Sequence, residues 1–166
     1  MDKSLSNFEI MSLLGDKTKI ITYPEIRKYK NIDDLLYPWG NIVILYMTGD
    51  SYGHWTTLFK HSDGSIEYFD SYGSVVDQPL EIEVIGDIRG QEHFYLTRLL
   101  SICKRKVVYN HHKLQSKDRR VSTCGRWCVL RLLNKEKTLE EFYFELVQEK
   151  KKNESFDQLV CRLIKV

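Results

Sequence analysis

The chain has 166 residues, of which 42% are hydrophobic, 12% aromatic and 29% charged, and its net charge is +2. That composition predicts one globular domain, residues 1–166, with a single core, and excludes a protein that binds polyanions over its whole surface. The longest apolar run, Ile42 to Met47, has a strand's length and falls far short of the roughly 18 residues a membrane-spanning helix needs. In chain order, Asn7 to Leu14 and Tyr23 to Tyr29 read as short helices, the second with Pro24 in its first turn. Pro38-Trp39-Gly40 is a turn that delivers a buried strand over Ile42 to Met47. After a turn at Asp50-Ser51-Tyr52-Gly53, His54 to Lys60 and Ser65 to Asp70 flank Ser62-Asp63-Gly64 as a hairpin. Gln91 to Cys103 reads as a helix and Lys106 to Tyr109 as a further strand. The C-terminal third is helical: Cys124 to Leu133, then two helices opened by the capping boxes Thr138-Leu-Glu-Glu141 and Ser155-Phe-Asp-Gln158. Those last two read as core-covering elements without a functional role. The mixture predicts an α+β fold, a small central sheet flanked by helices.

Four cysteines at irregular spacing follow an N-terminus (MDKSLSNFEI) that lacks a secretory apolar stretch, which points to reduced thiols and a chain that is not secreted. One of them stands apart. Cys124 opens a helix after Ser122-Thr123, either of which can cap it, so its sulfur meets the positive end of the helix dipole, which favours a thiolate. Gly125 behind it leaves room for a substrate carbonyl. Cys103, Cys128 and Cys161 sit among apolar residues and read as inert. Cys124 and Cys128 lie one helical turn apart, but no second Cys-x-x-Cys or His-x-x-x-His pair completes a tetrahedral set, so the chain is read as metal-free and without cofactor.

A thiol nucleophile needs a base, an orienting carboxylate and an oxyanion donor. His54 lies at a strand's mouth, reached through Gly53, and shares a strand face with Thr56 and Leu58 while Trp55, Thr57 and Phe59 face the other way. Asp70 ends the return strand at the same end of the sheet, where it could hold the imidazole. A strict two-residue turn at Asp63-Gly64 would pair Asp70 with Thr57, on the face opposite His54. A bulge, a longer loop or departure of the chain from the ladder at Asp70 is then required. Gln115, nine residues before Cys124, supplies a side-chain amide as oxyanion donor.

Gly53-His54-Trp55, Tyr68-Phe69-Asp70-Ser71, Leu114-Gln115 and Cys124-Gly125-x-Trp127-Cys128, in that order, resemble the adenain-type and SUMO-protease-like cysteine peptidases. The resemblance implies a papain-like cysteine peptidase core in the permuted order His-Asp-Gln-Cys, with Cys124 as nucleophile, His54 as base, Asp70 as its orienter and Gln115 as oxyanion donor. It implies that Trp55 packs beside the histidine and, with Gly53 and Gly125, shapes a narrow substrate channel. The implied activity is an endopeptidase cleaving after Gly-Gly-x or Gly-x-Gly motifs, processing viral capsid or virion precursors as a monomer in the virion or host cytoplasm. A ubiquitin- or SUMO-directed isopeptidase is the second reading, and a catalytically dead, nucleic-acid-binding scaffold the third. Thr123 stands where SUMO proteases carry aspartate. The clusters Lys104-Arg105-Lys106, Arg119-Arg120 and Lys150-Lys151-Lys152 read as solvated patches, with a DNA-binding stripe as the alternative; a DNA or peptide activator is implied only by the resemblance.

Overall fold

The computed structural model describes residues 3–50 and 52–166; Met1, Asp2 and Ser51 of the expected turn lie outside the described residues. The first half runs α1 (Asn7–Leu13), β1 (Lys19–Thr22), a 3₁₀ turn (Tyr23–Lys28), α2 (Ile32–Leu36), β2 (Asn41–Gly49), β3 (Tyr52–Lys60) and β4 (Ile66–Phe69). The second half runs through a 3₁₀ turn (Gln78–Glu81), α3 (Glu83–Gly86), α4 (Tyr95–Ile102), β5 (Val107–Tyr109), α5 (Cys124–Leu133), α6 (Leu139–Glu149) and α7 (Phe156–Leu163). The five strands form one mixed sheet in the order β1-β2-β3-β4-β5, with parallel pairs at both edges and an antiparallel β2-β3-β4 centre. No helix among the described residues is long and apolar enough to cross a membrane.

Helices cover both faces of the sheet, which explains why β2 is apolar without alternation. Val43 and Leu45 face a core shared with Trp55, Phe59, Phe69, α5, α6 and α7. Ile42, Ile44 and Tyr46 face a second core with Leu58, Tyr68, α2 and α4. Every residue of α5 from Cys124 to Leu132 is buried. Its Trp127, Val129 and Leu132 contribute about 1.5–3 kcal/mol each by burial, so the helix that begins at Cys124 is held by the core and not by its own hydrogen bonds. Two arginines are buried with it. Arg126 donates to the carbonyls of Lys3 and Ile164, and Arg131 forms a two-pronged pair with Glu67 at 2.8 Å on each prong. Both members of the Arg131–Glu67 pair are fully buried, and His61 Nε2 lies 2.9 Å from the same carboxylate.

Several elements differ from the sequence reading. Tyr23–Lys28 closes as a 3₁₀ turn, and α4 begins only at Tyr95. Gln91, expected in that helix, instead braces the β2 backbone, its amide bonding both the N–H and the C=O of Met47 at 2.8 and 2.9 Å. The capping boxes at Thr138 and Ser155 both form.

Candidate active site

The hairpin register decides where Asp70 goes. The loop is three residues long, Ser62-Asp63-Gly64, with the His61 N–H bonded to the Ser65 carbonyl at 2.8 Å. Gly64 supplies φ = 87°, a left-handed conformation that a side chain disfavours, and Asp63 Oδ1 accepts from the Ser65 N–H. Thr57 therefore pairs with Phe69, and the next position, Asp70, falls opposite Thr56 on the His54 side. Of the alternatives left open by the sequence, the structure takes the longer loop. It also takes departure from the ladder: Asp70 starts a turn closed by the Gly73 N–H on the Asp70 carbonyl at 2.9 Å.

His54 Nε2 lies 2.9 Å from Asp70 Oδ1, and the same oxygen accepts from the Tyr72 N–H at 2.8 Å. Nε2 is committed to Asp70, which leaves Nδ1 as the ring nitrogen that can face Cys124, a neighbour that helps raise the histidine's pKa. Tyr72 lies flat against the imidazole, ring centres 4.7 Å apart and planes 24° from parallel. Burial alone would lower the His54 pKa and is the largest single influence. The Asp70 charge and hydrogen bond, joined by Cys124, outweigh it and raise His54 from 6.5 to about 10. At neutral pH the imidazole is accordingly a cation held between Asp70 and Cys124.

Cys124 is the first residue of α5, with the Trp55 N–H 3.5 Å from its sulfur. Thr123 is the cap residue, yet its hydroxyl does not cap the helix: it donates to Asp157 Oδ1 at 2.6 Å. The other oxygen of Asp157 accepts the Ser116 N–H at 3.0 Å. One buried carboxylate on α7 thus ties the residue before Cys124 to the residue after Gln115, and α7 is more than a cover for the core. Gln115 is oriented by Ser71, whose hydroxyl donates to its Oε1 at 2.7 Å. Its Nε2 makes two long contacts of 3.4 Å, to Tyr72 Oη and the Val121 carbonyl. Asn110 completes the framework by donating to the Asp70 carbonyl at 2.7 Å.

A cleft of about 530 Å³ is lined by Gly53, His54, Asp70, Tyr72, Gln115 and Cys124, among others. Gly53 is required there sterically, because a Cβ would stand 1.9 Å from the Tyr46 carbonyl oxygen. Trp55 and Gly125 do not line it. Trp55 is buried in the core on the opposite face of β3 and donates its indole N–H to the Leu5 carbonyl. The bare face of Gly125 meets Leu5, Trp55 and Ile10, so this glycine makes room for packing instead of for a substrate carbonyl. Cys128 is buried, and burial pushes its thiol well above the ordinary range, which leaves it unreactive.

No family model matches the chain. It is 44% identical over 141 residues to the Sputnik virophage "Uncharacterized protein V9", covering 84% of this chain and 81% of that protein. This chain belongs to the family of that virophage protein. Among solved structures, the ASFV pS273R protease is similar in fold, with a TM-score of 0.51 over 98% of this chain and 68% of that one, at 18% identity. The α+β architecture, a five-stranded sheet flanked by helices, is therefore similar in fold to that protease.

Sequence reading missed Ser71, Tyr72, Asn110 and Asp157. Ser71 closes the Tyr68-Phe69-Asp70-Ser71 motif and Tyr72 follows it, but neither was given a role of its own. Asp157 sat inside a capping box, where an acidic residue is ordinary helix chemistry. Two of the basic clusters contain internally paired members, Arg105 with Asp33 at 3.1 Å and Arg120 with Asp118 at 2.7 Å.

Proposed function

We propose that the chain is a cysteine peptidase that works by acyl transfer. The observation that carries this reading is the hydrogen-bonded pair Asp70–His54 opening with Cys124 on one cleft, beside the oriented amide of Gln115. The fold likeness to a viral protease supports it. Cys124, as thiolate beside protonated His54, attacks the substrate carbonyl. The Cys124 N–H, one of the unpaired donors of a helix's first turn, and Gln115 Nε2 hold the oxyanion. His54 then protonates the leaving amine, and water that it activates hydrolyses the thioester. Asp70 fixes the ring so that Nδ1 faces the sulfur throughout.

The substrate is a protein with glycine at the cleavage site, of Gly-Gly-x or Gly-x-Gly type, and the virophage relative favours a virion precursor, processed in the virion or host cytoplasm. Wild type and Cys124→Ala, incubated with Gly-Gly-x peptides and candidate capsid precursors, test both levels. Cleavage by wild type alone is expected, and equal turnover by the two proteins would refute the reading. Covalent capture of a ubiquitin-like protein bearing a C-terminal electrophile would redirect the substrate assignment to an isopeptidase.

A further inference from the structure

Outside the cleft, His111, His112 and Glu140 converge. We propose that they bind a divalent transition-metal ion of the zinc class, which clasps the segment after β5 to the first turn of α6. One ligand atom from each side chain lies within 4.8 Å of the others. His112 Nε2 and Glu140 Oε1 are 3.3 Å apart. Tetrahedral bonds of about 2.0–2.1 Å put neighbouring ligand atoms about 3.3–3.4 Å from one another, so this pair already stands at the spacing of two ligands of one ion. His111 is exposed, so its side chain is not locked by core packing.

The arrangement is held from behind. The His112 ring stacks on Tyr143 at 3.6 Å, with planes 5° apart. Asn110 Oδ1 accepts the His112 N–H at 3.0 Å, and Asn110 Nδ2 donates to both the His112 and Asp70 carbonyls. Consecutive residues of extended chain point to opposite sides. Here the two imidazoles lie 4.2 Å apart instead, where the backbone passes close over Gly73. A side chain at Gly73 would stand 3.0 Å from the His111 carbonyl oxygen, so glycine permits that approach. Two imidazoles and one carboxylate form a nitrogen–oxygen set suited to zinc and its neighbours, whereas calcium and magnesium favour all-oxygen shells. The fourth position is open to water. Spacing in the sequence hid the set, because Glu140 follows His112 by 28 residues.

The test is calorimetric titration of the full chain with zinc chloride, together with the absorption spectrum of the cobalt(II) form. Wild type should bind one ion per chain. His111→Ala and Glu140→Gln alter exposed side chains, and circular dichroism will show that they fold. Each should weaken binding by at least about tenfold, the scale on which even outer-sphere partners matter. Cys124→Ala should bind as wild type does, and the cobalt spectrum should show ligand-field bands without sulfur-to-metal charge transfer. Absence of binding, equal binding by His111→Ala and Glu140→Gln, or a charge-transfer band signalling thiolate ligation would each overturn the proposal. None of these readouts depends on peptidase activity.

Discussion

Asp70→Asn keeps the shape of the side chain beside His54 and removes its charge. In the folded protein His54 titrates at about 10, against 6.5 for the ordinary imidazole that represents the unfolded chain. At about 1.4 kcal/mol per pH unit, that difference corresponds to about 5 kcal/mol favouring the imidazolium in the native state. The sign follows from proton counting. The folded state binds the extra proton between 6.5 and about 10, so this stability is fully present below 6.5 and is lost as pH rises through the folded value. In Asp70→Asn the foremost raising influence is gone. Burial, which lowers, then opposes only the contact with Cys124, and the pH slope belonging to His54 should flatten across the window. Urea unfolding of both proteins at pH 6 to 10 measures the slopes, and the His54 ring resonance reports its titration directly. The Tyr68 and Tyr72 phenols, which the Asp70 charge helps to raise, titrate above this window, and groups remote from Asp70 cancel in the difference. Parallel stability curves, or a wild-type His54 titrating near 6.5, would refute the account.

Three further substitutions probe the framework. Gln115→Ala should lower kcat on a Gly-Gly-x peptide by about a hundred- to a thousandfold; a kcat within about threefold of wild type would remove Gln115 from the oxyanion site. Asp157→Ala leaves the Ser116 N–H and the Thr123 hydroxyl without their acceptor, so kcat should fall more than KM rises, with partial recovery in Asp157→Asn; steady-state kinetics showing an unchanged kcat would end the bracing role. Glu67→Gln breaks a fully buried pair and should destabilise by about 3–5 kcal/mol. At about 2–4 °C per kcal/mol, that lowers the melting temperature by about 6–20 °C in a scanning calorimeter; a loss under about 1 kcal/mol would mean that Arg131 finds other partners.

The sequence was most legible where a local rule has one solution. Capping boxes at Thr138 and Ser155 announced α6 and α7, Asp63-Gly64 announced the hairpin, and the order of His54, Asp70, Gln115 and Cys124 pointed to the four side chains that the structure brings to one cleft. Short edge elements were not legible. β1 and α2 are only four and five residues long, too brief for periodicity to speak, and they exist because β2 and the second core give them something to pack against. Alternation correctly separated Trp55 from His54, but the resemblance placed Trp55 in a channel, and Gly125 was read as room for a substrate, when both pack in the core. Asp157 lay beyond reach for a different reason. Thr123 stands where a SUMO protease has aspartate, and the carboxylate that meets it comes from another helix, a pairing that exists only in three dimensions.

The loop Ser62-Asp63-Gly64 lies far from the cleft along the strands and touches none of its side chains, yet it acts as a counting device for the cleft. Remove one residue there and every partner on β4 slides by one, which turns Asp70 toward the opposite side of the sheet and strands His54. Sequence change at that tip is cheap as long as a residue able to take up a left-handed backbone follows the aspartate, whereas a change in its length is a change in the chemistry. Variants with altered tips should thus sort by residue number and not by residue type.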